Sequence, residues 1–158
     1  MFPPKPVLAA DSRIKDGSEY PRSVESTSQF TLEAIDEAHS RVESGADFPA
    51  YITTIRDFGV REFTNFVEDG RTRYRSVDGS VLAGPALYEK KTIRQEVAVP
   101  EFVDQLRLHQ RGGTTFFQFC EDCARTGVDR WVVDLEYLTC TYFSRGGTVV
   151  VVEEIPVV

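Results

Sequence analysis

The chain repeats itself. Sliding it by the 68 positions that separate Gly59 from Gly127 brings Gly59-Val60 onto Gly127-Val128, Phe48 onto Phe116, Glu68 onto Glu136, Tyr74 onto Tyr142, Ser76 onto Ser144, Gly79 onto Gly147 and Val81 onto Val149, without a gap. Gly45 also meets Gly113, and Phe63 meets Trp131, one aromatic for another. Coincident glycines alone say little, since helices commonly end in one. Core aromatics that match over a long ungapped span point to an internal duplication. The expected unit is helix-helix-strand-strand-strand, present about 31–83 and again about 99–155 within one domain at 29–158. Two such units packed with pseudo-twofold symmetry give an α+β fold, with one sheet or two left open.

Local signals fill in the unit. Thr31 is an N-cap with Glu33 in the first turn, and Leu32, Ile35, Ala38 and Val42 share a helical face that Gly45 closes. A second helix runs from Phe48 through Tyr51, Ile52, Ile55 and Phe58 to Gly59. Aromatic and β-branched residues then predict strands over Val60 to Val67, Arg71 to Ser76 and from Val81, with turns at Glu68-Asp69-Gly70 and Asp78-Gly79. The second half reads alike: a helix from Pro100, a helix capped by Thr114 or Thr115, and strands Val128 to Leu135, Thr139 to Ser144 and Thr148 to Glu154. Residues 86–98 read as either a strand or an irregular crossover. Residues 1–28, rich in proline and polar residues, read as a flexible extension.

The chain carries 25 acidic against 18 basic residues, a formal net charge of -7. Nucleic-acid affinity rests on neutralising phosphates, so no nucleic-acid partner is expected. No apolar run nears the roughly 18 residues of a membrane span and no signal peptide is read, so a cytoplasmic protein is expected.

Several residues suggest chemistry. Cys120-Glu121-Asp122-Cys123 has the C-x-x-C spacing of redox and zinc sites. It falls about two turns into a helix, whereas a reactive thiolate sits at a helix N-terminus. Its cysteines also fall on Ile52 and Ile55 of the first half, which reads as core. The sharper alternative is a zinc or thiol site of His109, Cys120, Cys123 and Cys140. His39 and His109 end the first helix of each half, where a cation suits the dipole; each is also a ligand-binding candidate, as is Trp131. Arg71, Arg73 and Arg75 share one strand face, either an anion-binding stripe or a solvated face. No phosphate loop, dinucleotide fingerprint or nucleophile elbow is present, and no cofactor is expected.

Ala34-Ile35, Ala38-His39 and Ser44-Gly45-Ala46-Asp47-Phe48-Pro49 resemble the YdfO-like family of small bacterial and prophage proteins of unknown function. So do His109-Gln110-Arg111-Gly112, Phe119-Cys120-x-x-Cys123-Ala124, Gly127-Val128-x-x-Trp131-Val132-Val133-Asp134, Thr139-Cys140-Thr141-Tyr142 and the Glu154-Ile155-Pro156 ending. The resemblance covers residues 30 to 156. It implies an α+β fold and a phage or mobile-element setting, and brings no activity or catalytic residue. The expected function is a non-enzymatic accessory or regulatory domain, binding a protein or small ligand in a groove between its halves, as a monomer or small homo-oligomer. The alternatives are a metal- or thiol-dependent protein using His109 with the three cysteines, and a phage-associated structural protein.

Overall fold

The computed structural model describes residues 29–43 and 47–156; the extension 1–28 and Gly45 lie outside the described residues. The elements run α1 (Leu32–His39), α2 (Phe48–Asp57), β1 (Val60–Phe66), β2 (Thr72–Ser76), β3 (Val81–Ala83), α3 (Val99–Gln110), α4 (Phe116–Thr126), β4 (Val128–Asp134), β5 (Thr139–Ser144) and β6 (Val149–Glu154). This is the expected unit, twice. All six strands form one antiparallel sheet, ordered β3-β2-β1-β4-β5-β6.

The caps follow from the sequence. Thr31 Oγ1 accepts the Ala34 N–H at 3.1 Å, and Thr115 Oγ1 accepts that of Gln118 at 3.0 Å. Each fills a donor that the first helical turn leaves open. Pro49 and Pro100 stand in the first turns of α2 and α3, where a missing N–H costs nothing.

The halves meet at β1 and β4. Thr64 lies opposite Val132 at the centre, with Glu62 opposite Asp134 and Phe66 opposite Arg130 on either side. At the offset of 68, Thr64 maps to Val132, Glu62 to Arg130 and Phe66 to Asp134, so exchanging the halves leaves the pairing unchanged. Val67 N–H donates to Asp129 O and Leu135 N–H to Arg61 O, both at 2.9 Å, which are likewise each other's images. A register shift between Val60 and Glu62 recurs between Val128 and Arg130. The geometry is compatible with the expected duplication and its pseudo-twofold packing.

One face of the sheet is buried under the helices. Phe63 packs on Tyr74 at 5.7 Å between centroids, and their images Trp131 and Tyr142 pack at 5.9 Å. Phe102 of α3 touches Tyr142 at 5.3 Å and Phe119 of α4 touches Trp131 at 5.4 Å. All six rings are buried. Each such side chain contributes about 1.5–3 kcal/mol through removal from water, so this aromatic layer outweighs the surface ion pairs.

The halves differ in what joins them. Residues 84–98 cross from β3 to α3 without regular structure and bridge the two halves as a strap. Leu87 N–H donates to Asp69 O at 2.7 Å, Lys91 N–H to Glu68 O at 2.8 Å, and the Tyr88 hydroxyl to Val67 O at 2.6 Å. Further along, Arg94 N–H donates to Ala124 O and Ala98 N–H to Thr126 O, each at 2.9 Å. Two glycines admit it. A Cβ on Gly70 would stand 2.7 Å from the Tyr88 ring, and one on Gly127 would stand 2.7 Å from Glu96 O.

Candidate functional site

The sequence-derived candidates separate in space. His109 is buried, stacked on Phe119 at 4.4 Å, with Nδ1 held 3.0 Å from Thr114 O. With that nitrogen protonated it donates to the carbonyl and leaves Nε2 as a buried lone pair, for which no partner lies among the described residues. Burial lowers its pKa, against the helix-end cation expected from its position. His39 is buried against Tyr51 at 5.2 Å, again in the core and away from His109's ring partners. Trp131 is buried in the aromatic layer, 3% exposed, and offers a ligand almost no surface.

The cysteines are buried as well, all three as free thiols. Burial pushes the Cys120 thiol up to about 12 and holds Cys123 and Cys140 well above the ordinary thiol value too. A thiol held that high has almost no nucleophilic thiolate at neutral pH. Among the described residues no three His, Cys, Asp or Glu side chains come together to hold a metal ion, so His109, Cys120, Cys123 and Cys140 are not assembled as a zinc site.

The arginines do share a face, the open one opposite the helices. Arg71 and Arg73 both lie over the Phe66 ring, at 4.9 and 5.2 Å, and Arg75 Nε reaches Glu62 Oε2 at 3.3 Å. Arg130 covers Phe143 at 4.6 Å on the same face. These guanidiniums cap aromatic rings that would otherwise stand bare, a structural use of charge.

Two concavities are lined by described residues. One, of about 520 Å³, lies between the strap and α4 and is lined by Lys91, Thr92, Gln118, Glu121, Asp122, Ala124 and Arg125. Its charges are already spent on one another: Lys91 pairs with Glu121 at 3.0 Å and Arg125 with the buried Asp122 at 2.7 Å. The other, of about 190 Å³, is lined by Arg56, Val60, Arg61 and Val77 of the first half and by Leu135 and Glu136 of the second. This one lies between the halves. Arg61 spans it, reaching Asp134 and Glu136 at 2.8 Å each.

The groove between the halves is the image of the place the strap fills. At the offset of 68, Leu135 corresponds to Val67, Glu136 to Glu68, Tyr137 to Asp69, Arg56 to Ala124 and Val77 to Arg145. The strap bonds the first four of those counterparts, and Gln95 Oε1 accepts from Arg145 at 3.4 Å. In the groove itself, the carbonyls of Leu135, Glu136 and Tyr137 accept no hydrogen bond among the described residues. Nothing among those residues comes within 4 Å of a Cβ built on Gly59, where its image Gly127 meets the strap. No motif marks this groove. Its sequence signal is the set of positions where the halves disagree, such as Arg56 for Ala124 and Val77 for Arg145.

A family profile described as "Protein of unknown function (DUF1398)" matches residues 36–154. The chain belongs to the DUF1398 family. Uncharacterized proteins of Mycobacterium tuberculosis (strain H37Rv) and Mycobacterium bovis are 38% identical to it over 103 residues, 61% of this chain. The chain's match spans 60% of the length of these curated relatives. A family of unknown function agrees with what the motifs implied. Among the described residues no helix is long and apolar enough to cross a membrane.

Proposed function

We propose that this chain is a non-enzymatic accessory domain that holds an extended segment of a partner protein in the groove between its halves. One observation carries the reading: among the described residues the backbone acceptors of residues 135–137 meet no donor, at the position where the other half uses the same acceptors to hold a polypeptide strap. Size favours a protein segment over a small molecule. A cleft of about 190 Å³ takes a side chain, whereas drug-sized ligands occupy about 300–1,000 Å³. Buried, protonated thiols and a buried neutral imidazole argue against the metal- or thiol-dependent alternative.

The test is selection of peptides from a displayed random library on the full chain, then measurement of their affinity by fluorescence anisotropy. Val77→Asp, at a residue 75% exposed, should weaken the selected peptides about tenfold, roughly 1.4 kcal/mol, while Arg73→Ala on the open sheet face leaves them unchanged. Peptides that ignore Val77→Asp and are lost with Arg73→Ala would move the binding site to the sheet face.

A further inference from the structure

The exchange that relates the halves also relates what precedes them. The strap precedes α3 in the chain and bonds the turn between β1 and β2; its image precedes α1 and falls on the turn between β4 and β5, at residues 135–137. At the offset of 68 that image is residues 16–30, of which Gln29 and Phe30 are described. We infer that residues 16–28 are the groove's own occupant, a segment that lies across residues 135–137 and leaves before a partner segment enters. This rests on the reading of the groove as a docking site for a protein segment, and adds its regulation.

Length and chemistry both suit that placement. Residues 1–28 are more than the strap uses to run from Leu87 on its turn to Ala98 at α3. Tyr20 falls on Tyr88, whose hydroxyl donates to Val67 O at 2.6 Å, and the image of that acceptor is Leu135 O in the groove. The N–H groups of Glu19 and Ser23 fall on those of Leu87 and Lys91, which donate to Asp69 O and Glu68 O; the images of these acceptors are Tyr137 O and Glu136 O. A segment on this path therefore brings donors to the carbonyls that meet none among the described residues.

The seat is looser than the strap's, which is what makes the occupant releasable. A Cβ on Gly70 would stand 2.7 Å from the Tyr88 ring, but the image of Gly70 is Leu138, which holds a similar left-handed backbone, φ 58 against φ 80, and does carry a side chain. The Tyr20 ring must therefore sit further out than Tyr88 does. Val97 Cα would stand 2.9 Å from a Cβ on Gly127, whereas its image Gln29 does not come within 4 Å of one on Gly59. The strap is also joined to described elements at both ends, β3 and α3, while residues 16–28 join one only, at α1. Such a tether holds its segment at an effective concentration in the mM range yet lets it leave without unfolding the domain.

Two measurements on the full-length protein test this. In the first, residues 16–28 are replaced by a glycine-serine sequence of the same length and the library-selected peptides are titrated by anisotropy. They should bind at least about tenfold more tightly than to the natural chain, the factor expected where the native segment fills the groove in about nine molecules of ten. In the second, Thr27→Cys is combined with Val77→Cys, the images of Gln95 and Arg145, which meet at 3.4 Å, and a short bismaleimide is added. Cross-linking within one chain should run at least about tenfold faster than for Thr27→Cys with Arg73→Cys on the open sheet face. The native thiols, all buried, should stay unlabelled. Equal affinity for the two chains, with Val77→Asp still weakening the peptides, overturns the inference and leaves the groove as a docking site. Equal cross-linking rates, or cross-links between chains in place of those within one, overturn it whatever the peptides do. Fast cross-linking to Val77 when no selected peptide depends on Val77 upholds the segment in the groove and overturns the partner reading instead.

Discussion

Gly59 and Gly127 make a matched pair for measuring how firmly the strap is seated. Both have positive φ, 104 and 98, so alanine at either strains the backbone by about 1–2 kcal/mol. Loss of unfolded-state freedom returns about 0.4–1 kcal/mol at each site. Gly59→Ala should therefore cost about 1 kcal/mol net, since nothing among the described residues lies within 4 Å of its added Cβ. Gly127→Ala meets backbone atoms instead, Glu96 O at 2.7 Å and Val97 Cα at 2.9 Å. Backbone does not step aside as a flexible side chain would, so the strap must lift. Lifting weakens the bonds from Arg94 to Ala124 and from Ala98 to Thr126, each contributing about 0.5–1.5 kcal/mol. The difference between the variants should be about 1–3 kcal/mol, a gap in urea midpoint on the order of 1 M. Trp131, the single tryptophan and 3% exposed, reports unfolding by fluorescence. Equal losses at the two glycines would refute the tight seating of the strap.

Other outcomes follow from the same contacts. Tyr88→Phe removes the donor to Val67 O and should cost about 1–2 kcal/mol by urea melt. Cys120, Cys123 and Cys140 should resist iodoacetamide at pH 8 in the native protein and all react in denaturant, as read by mass spectrometry; native labelling of Cys120 would contradict a thiol held near 12. His109 has a folded pKa below its unfolded value of about 6.5, so the unfolded chain binds its proton first. Its contribution is thus fully present above about pH 6.5 and is lost as pH falls towards the folded pKa; the urea midpoint should drop between pH 7.5 and 5.5, and less so in His109→Phe.

Much of this fold is legible because its signals are local and occur twice. Phe63 and Trp131, or Tyr74 and Tyr142, mark the core face of corresponding strands, and Gly59 and Gly127 close corresponding helices. Cys120 and Cys123 are buried, as are their counterparts Ile52 and Ile55. The histidines read less well: a C-terminal helix position suggests an exposed cation, but stacking of His109 on Phe119 buries it neutral. The strap defeats pattern reading for a different reason. Leu87, Tyr88 and Ile93 share no period, and their segment's bonds go to turns and helix ends distant in sequence. The groove is harder still, since its acceptors are backbone carbonyls that any residue would supply.

The β1–β4 ladder has a further consequence for how this chain behaves when concentrated. Because the pairing is unchanged when the halves are exchanged, β1 of one molecule offers β4 of another the same ladder it offers its own. The strap is the covalent link between the two halves. Refolding at high concentration should therefore yield domain-swapped dimers, in which two chains trade halves and every ladder bond is conserved.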